Sequence, residues 1–480
     1  MFRFTMIFYL ISLTFTYNQT TEGNNMFNIQ LIGAGLGILL SVSFAAGGDP
    51  IISEDFKFSP DDGAGFDFFG AVAAIHNGVV AMGLPNDDNI VAENSGSVYL
   101  FDATTGLQLY KLNPSMPSFG ARFGISVAID NDLVAIGTQE GDNGLNSGSA
   151  YLFDSTTGLQ VLKLLPDDGQ SENHFGSSID LQGAVVAIGA NRDNDNGTNS
   201  GSAYLFDAKT GMQTMKLLPD DGETGDQFGI SIAIESGIVV VGASFDDENG
   251  ADAGAVYLFD SSTGDQLFKL LADDGAAGDG FGESVAIDNG IVAIGARFDG
   301  DNGAISGSAY LFDAATGLQL LKILPDDGAA NDQFGNKLSI HNGILAIGAH
   351  QENANGSLSG SAYLFNVDSG EQIAKLVSSD GSSTDFFGES IAINKGIIVV
   401  GAIGDDDNGS SSGSGYIFTA PVTTDCTADF TNDGVLNFFD VSAFLQAFNA
   451  QDPIADLTND GRWNFFDVSA FLQAFSEGCP

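Results

Sequence analysis

The sequence predicts an all-β seven-bladed propeller followed by a small α-helical domain. Three observations lead there. A Phe-Gly pair recurs seven times, with its glycine at Gly70, Gly124, Gly176, Gly229, Gly282, Gly335 and Gly388, every 52 to 54 residues. Each interval holds four short apolar runs separated by turn residues. The C-terminal end carries a different repeat, in which 428–448 returns almost letter for letter at 455–475.

Composition narrows the classes. The chain has 480 residues, 43% of them hydrophobic, which gives enough apolar material for a large core. Its 63 acidic and 15 basic residues leave a net charge of −48, which disfavours nucleic acid as a partner. Four histidines and two cysteines offer little for zinc or haem.

Residues 1–45 read as a targeting segment. Met26 opens a candidate signal peptide whose apolar stretch ends Ser43-Phe44-Ala45-Ala46-Gly47, a small-residue pattern suited to cleavage after Ala45. An uncleaved anchor is the alternative, and either reading predicts export to a secreted or cell-surface location.

Residues 46–419 form the propeller. In the fifth unit the strands are predicted at Gly282–Ile287, Ile291–Ala296, Ser308–Phe312 and Leu318–Leu324. Asn289-Gly290 supplies the positive φ angles of a tight hairpin turn. The strands are nearly continuous apolar runs, so both faces of each sheet are predicted to be covered, as in stacked blades. The seventh unit stops after a third strand at Ser414–Phe418, and the missing fourth strand stands at the other end as Ile51–Phe58. That split predicts a closed ring.

The alternation of Phe-Gly, Val-Ala-Ile-Gly-Ala and Gly-Ser-Ala-Tyr-Leu-Phe resembles FG-GAP repeats, the units of the integrin α-chain propeller. The calcium-binding loops of that family lie between first and second strands. Here the place holds only short turns such as Asp288-Asn289-Gly290 and His341-Asn342-Gly343, so those sites are not expected.

In an up-and-down blade the long 2–3 and 4–1 loops share one rim. They are rich in Asp, Asn and Gly, for example Asp193-Asn194-Asp195-Asn196-Gly197 and Pro325-Asp326-Asp327-Gly328, so that rim is predicted to be anionic. Turn formation alone explains these residues; collection of divalent cations or of a cationic ligand is the functional alternative. Lys57, Lys111, Lys163, Lys216, Lys269, Lys322 and Lys375 share one register of the outermost strand, where lysine is expected to block edge-to-edge pairing. Arg192, Arg297 and His350 follow the Gly-Ala of blades three, five and six and break the sevenfold pattern. Blade two lacks the Pro-Asp-Asp-Gly turn, having Asn113–Arg122 instead.

After a linker at 420–425, residues 426–480 present two twelve-residue loops. Oxygen ligands at positions 1, 3, 5, 9 and 12 are Asp429, Thr431, Asp433, Asn437 and Asp440 in the first loop. In the second they are Asp456, Thr458, Asp460, Asn464 and Asp467. Position 7 offers the Val435 and Arg462 carbonyls, and Gly434 and Gly461 allow the sharp turn. Hard oxygens at this spacing predict two Ca²⁺ ions. Each loop leads into one helix whose stripe is Val441, Phe444, Leu445, Phe448 or Val468, Phe471, Leu472, Phe475. Cys426 and Cys479 bracket the module and, in an exported chain, predict a disulfide.

A paired, EF-hand-like loop–helix unit without the entering helix resembles a dockerin, and the Gly-Cys-Pro end resembles its GC-type variant. The resemblance implies docking to a cohesin-like or other surface scaffold protein. Phe438, Phe439, Phe465 and Phe466 stand where dockerins choose their partner; they serve either as a hydrophobic docking patch or as core. The function expected is an exported, non-enzymatic binding or adhesion protein whose propeller recognises a protein or glycan. The alternative is a dockerin-anchored, polysaccharide-active glycosidase or lyase. No distinctive catalytic constellation stands out, so no catalytic residue is assigned.

Overall fold

The computed structural model describes residues 50–88 and 93–421, together with 11–19, 25–33, 43–44, 428, 430, 438–450, 453–455, 457 and 462–477. The chain divides into two units, Met1–Thr419 and Ala420–Pro480.

The first unit holds seven four-stranded antiparallel blades. Blade three is typical, with strands at Phe175–Gln182, Val185–Ala190, Ser202–Asp207 and Gln213–Leu217 in that spatial order. Neighbouring residues of one strand face opposite blades. Val186, Ile188, Tyr204 and Phe206 pack with Ala150, Leu152 and Leu164 of blade two, whereas Ala187, Ala203 and Leu205 pack towards blade four. The core therefore lies between blades, which is why the strands show no polar alternation.

The Phe-Gly signature is a junction. Phe175 packs edge-on against Tyr204 and Phe206 of its own blade, at 5.4 and 5.6 Å between ring centres. The following glycine of the next blade, Gly229 (φ 91°), nests against Gly189, where a Cβ would stand 2.1 Å from the Gly229 oxygen. Ser178 Oγ donates to that same oxygen at 2.8 Å. Ser126, Ser231, Ser284 and Ser390 make the matching bond to the next blade.

The ring closes as the split repeat predicts, with a refinement. Only Phe56–Phe58 completes blade seven, pairing with Ser414–Thr419 in the register Gly415↔Phe58, Tyr416↔Lys57 and Ile417↔Phe56. Ile51–Ile52 runs instead beside the outer strand of blade six, parallel to Lys375 and Leu376. Upstream, Ile11–Gln19 pairs with Asn25–Gly33, and Ser43–Phe44 lies against Asn25–Gly33 and Ile51. Among the described residues no helix is long and apolar enough to cross a membrane.

Among its described residues the second unit has two helices, α1 (Phe438–Ala450) and α2 (Phe465–Glu477), with a 3₁₀ turn at Pro453–Ala455. Phe444 and Phe471, equivalent in the duplication, stack at 4.1 Å with planes 3° apart, and Phe430 meets both edge-on. Leu445 and Leu472 depart from the predicted stripe. They are 51% and 55% exposed, because the helices meet through the narrower line of Val441, Phe444 and Phe448 and its repeat.

The closing blade carries a size swap. Phe58 faces Gly415, where blade three pairs Leu217 with Ala203. A Cβ on Gly415 would stand 2.5 Å from the Phe58 ring. Gly415→Ala is expected to lower unfolding free energy by about 1–3 kcal/mol in denaturant titration. Adding Phe58→Leu, which restores the pair of the other blades, should recover most of that loss.

Candidate functional site

The acidic loops and the recurring lysines meet. Lys322 Nζ lies 2.6 Å from Asp274, 2.9 Å from Asp299 and 2.6 Å from Asp301, and 5.1 Å from the centre of the Tyr310 ring. Asp274 comes from the turn that precedes the blade, and Asp299 and Asp301 come from its 2–3 loop. Tyr310 Oη hydrogen-bonds Asp274 and Asp299 at 3.1 and 2.9 Å. Lys57, Lys216 and Lys269 each sit among three carboxylates in the same way, at 2.6 to 3.0 Å. Lys111 and Lys375 have two. Among the described residues Lys163 meets only Asp142: the divergent Asn113–Arg122 turn before blade two has no aspartate, and Glu140, at the place of Asp193 in blade three, makes no ion pair with it.

The lysines therefore do not act as edge guards. Their stems cross a tyrosine face and their ammonium groups neutralise the rim. Burial alone would lower the Lys322 ammonium, but bonds to Asp274 and Asp301 outweigh it and hold its pKa above the usual lysine range. Against the burial of Asp299, its bonds to Lys322, the Asp301 N–H and Tyr310 hold that carboxyl below its usual range.

Nearer the axis the repeat breaks. A channel of about 210 Å³ runs between the first strands of all seven blades, lined mainly by apolar residues and serines, with Glu283 and Lys337 its charged members. Lys337 takes the place held in five blades by the junction serine. Around the mouth, in blades three to six, the residue after the second strand contacts the next blade. Ser244 Oγ is 3.1 Å from Glu283, and Arg297 contacts Glu283 at 3.3 Å and donates to Asn336 Oδ1 at 3.0 Å. His350 Nε2 is 3.7 Å from Glu389. At the equivalent positions of blades seven and one stand Ile403 and Pro85, so the mouth is charged on one side and apolar on the other.

Burial, then the charges of Arg297 and Lys337, press the His350 pKa down to about 4, so the ring is neutral at pH 7. Burial pushes the Glu389 carboxyl up, opposed by Lys337 and Arg297. Arg297 Nε and His350 Nδ1 are buried without a hydrogen-bond partner. Arg192 does not join this arc; it is exposed, and its N–H donates to the Asn173 carbonyl. The sequence marked Arg297 and His350 but not Glu283, Asn336, Lys337 or Glu389.

The FG-GAP repeat family matches residues 52–101, 107–153, 159–206, 212–259, 265–312, 318–365 and 371–418. This chain belongs to the FG-GAP repeat family. Each FG-GAP match ends in the third strand of a blade, and six of the seven start one residue before the outer strand of the preceding blade, the same frame shift that closes the ring. No curated protein matches the sequence. Among solved structures, that of the computationally designed Ika8 protein matches at 16% identity over 80% of this chain and 94% of that one, with a TM-score of 0.44. The first-to-second-strand turns of these FG-GAP blades are short, as at Asn289 (φ 51°) and Gly290 (φ 77°) between Asp288 and its partner Ile291.

Outside the FG-GAP blades, Asp440 and Asp467, the twelfth residues of the two C-terminal loops, are both fully buried in the first turns of α1 and α2. The Asn464 N–H donates to Asp467 Oδ2 at 2.8 Å, and Asn464 Nδ2 donates to the Arg462 carbonyl at 3.2 Å. Phe438, Phe439, Phe465 and Phe466 begin the helices. Asp429, Thr431, Asp433, Val435, Asn437, Asp456, Thr458, Asp460, Cys426 and Cys479 lie outside the described residues.

A second set of carboxylates titrates against the cages. Asp67, Asp226 and Asp385 stand three residues before a Phe-Gly glycine and accept the N–H three residues upstream at 2.6 to 2.7 Å. Burial, opposed by those bonds, pushes each to a pKa of about 6. Such a group favours folding while protonated, and its contribution is lost as pH rises from about 4 to about 6. Asp226→Asn, the residue type of blade three at Asn173, is expected to stabilise at pH 7 by on the order of 1 kcal/mol. The gain should shrink towards pH 4; a variant less stable at pH 7 by denaturant titration refutes the assignment.

Proposed function

We propose that this chain is an exported, non-enzymatic binding protein, with an FG-GAP propeller as recognition head and a dockerin-like, calcium-dependent module as anchor. The observation that carries the first half is the division of charge on the propeller rim. In six of the seven blades the repeated acids and lysine are engaged with one another in cages, whereas the channel mouth has side chains of its own, polar and charged in blades four to seven and apolar at Ile403 and Pro85. A surface with one distinctive, largely preformed patch on a rigid ring suits recognition.

The anchor rests on the duplication. Two buried carboxylates at equivalent helix starts, Asp440 and Asp467, and loops rich in hard oxygens fit a pair of calcium sites. Asp429, Thr431, Asp433, Asn437 and Asp440 would hold one ion with the Val435 carbonyl; Asp456, Thr458, Asp460, Asn464 and Asp467 would hold the other with the Arg462 carbonyl. Bound calcium would supply the positive charge that lets these carboxylates converge. The stacked Phe444 and Phe471 would then set the two helices as one surface, which leaves Leu445 and Leu472 outward for a cohesin-like or other scaffold partner. A disulfide between Cys426 and Cys479 would tie the ends of the module, adding about 2–4 kcal/mol.

Calorimetric titration of the full chain with Ca²⁺ is expected to count two ions, with Asp440→Ala and Asp467→Ala each removing one. Absence of Ca²⁺ binding sinks the anchor. Release of soluble product from any polysaccharide incubated with the full chain sinks the non-enzymatic reading.

A further inference from the structure

Two blades lack the junction serine, and they flank blade seven. Ser126, Ser178, Ser231, Ser284 and Ser390 each bond a carbonyl of the next blade, whereas blade six has Lys337 and blade one has Val72 at that register. Both line the axial channel of about 210 Å³. Lys337 is exposed there, and among the described residues its ammonium makes no ion pair, unlike the outer-strand lysines. Arg297 is already held by Glu283 and Asn336, which leaves Lys337 as the unpaired cation of the channel. On the other side of blade seven the surface turns apolar. Val72 is joined by Ile403 and Pro85 at the mouth and by Val127 along the wall. None of the described residues lining the channel is aromatic.

We infer that the channel mouth at blades six, seven and one binds the carboxyl terminus of a polypeptide, with the terminal carboxylate on Lys337 and an aliphatic last side chain against Val72, Ile403 and Pro85. This names a ligand for the recognition head proposed above and rests on that reading. A C-terminal residue carries an anion and an apolar side chain on one Cα, and the mouth offers a free cation and an apolar wall on either side of one blade. The cavity is smaller than the about 300–1,000 Å³ that holds a drug-sized ligand, so it takes one terminal residue rather than a run of chain. An acidic glycan matches less well. Its sugar ring finds no aromatic face to stack on, and a chain of net charge −48 repels a polyanion. The same charge draws in a partner whose end is otherwise basic.

The test titrates the full chain calorimetrically with the acetylated peptide Lys-Lys-Gly-Leu, as the free acid and as the C-terminal amide. The acid is expected to bind at least about tenfold more tightly. Amidation makes the peptide more positive, so attraction to an acidic surface alone predicts the opposite order. Lys337→Ser restores the residue of five other blades; it should melt no earlier than the unmodified chain and yet lose the preference for the acid. Lys337→Arg, which keeps the cation, should retain that preference. Val72→Ser should narrow the advantage of a peptide ending in leucine over one ending in glycine.

No binding of the acid, equal binding of acid and amide, or an acid preference that survives Lys337→Ser overturns the inference. Loss of the preference in Lys337→Arg overturns it too, as does a disaccharide with a terminal uronate that binds as tightly as the peptide acid. A Lys337→Ser chain that keeps its stability and loses the preference supports it over a merely structural lysine. Peptide binding and release of product from polysaccharide are separate readouts, so this site and the non-enzymatic reading can each fail alone.

Discussion

Every blade junction brings two backbones closer than any side chain allows. The carbonyl of Gly229 lies where a Cβ on Gly189 would be, and the same crossing recurs at Gly242 with Gly282 and at Gly295 with Gly335. Close approach lets the junction serine reach the carbonyl of the next blade and brings the Phe-Gly aromatic under the tyrosine of its own blade. The spacing between sheets, and so the closure of a ring of seven, follows from that contact. The crossing also recurs where the chain is discontinuous: Ser390 bonds the Gly70 carbonyl, and a Cβ on Gly401 would meet the same atom. Closure is thus made by the ordinary junction as well as by the borrowed strand.

This packing moves the polar work outward. Strands buried on both faces cannot carry charge, so nearly all of it falls on turns and loops. A rim crowded with aspartates would repel itself. The lysine of the outer strand answers that repulsion across a blade boundary, since in every blade but the second, one of its aspartates belongs to the turn preceding the blade, 48 residues before the lysine in blades three to six. Each cage is therefore a second inter-blade clamp, on the circumference as the serine bond is near the axis. Blade two illustrates the dependence. Without the usual turn, Tyr151 is 8% exposed where Tyr204, Tyr257 and Tyr310 are fully buried, and Lys163 keeps one acidic partner.

Much of this was legible in the sequence because it repeats. The Phe-Gly pairs, the Asn-Gly turns and the split seventh unit fixed blade number, strand order and closure. The exchange at Gly415, which stands in place of the alanine or valine of the other blades, shows its meaning only once the strand register sets it opposite a larger Phe58 from the far end of the domain. What the lysines do was not legible. Their register was plain, but an outer-strand lysine reads as an edge device until the loop of the neighbouring blade is placed beside it. At the channel mouth, Arg297 and His350 stood out as breaks in a motif, whereas Glu283, Asn336 and Glu389 occupy the position after Phe-Gly, which varies in every blade and so carries no contrast. Lys337 did carry one, a lysine where five blades have serine, visible only once that serine has a role.

The pattern of breaks explains where function can reside on such a ring. A residue required at seven junctions cannot change in one blade without weakening that junction, so specificity accumulates at positions that the junction does not use. The residue after the second strand and the residue after Phe-Gly are two such positions, and they meet across three of the boundaries. In blades four to seven they form pairs, Ser244 with Glu283, Arg297 with Asn336 and His350 with Glu389. Lys337 goes further, since it gives up a serine–carbonyl bond worth about 1 kcal/mol to place an ammonium on the channel. Blade one also lacks that serine, having the apolar Val72, but only blade six puts a charge there, beside the arc that already departs from the repeat, which is the signature of a surface shaped for something other than holding the ring together.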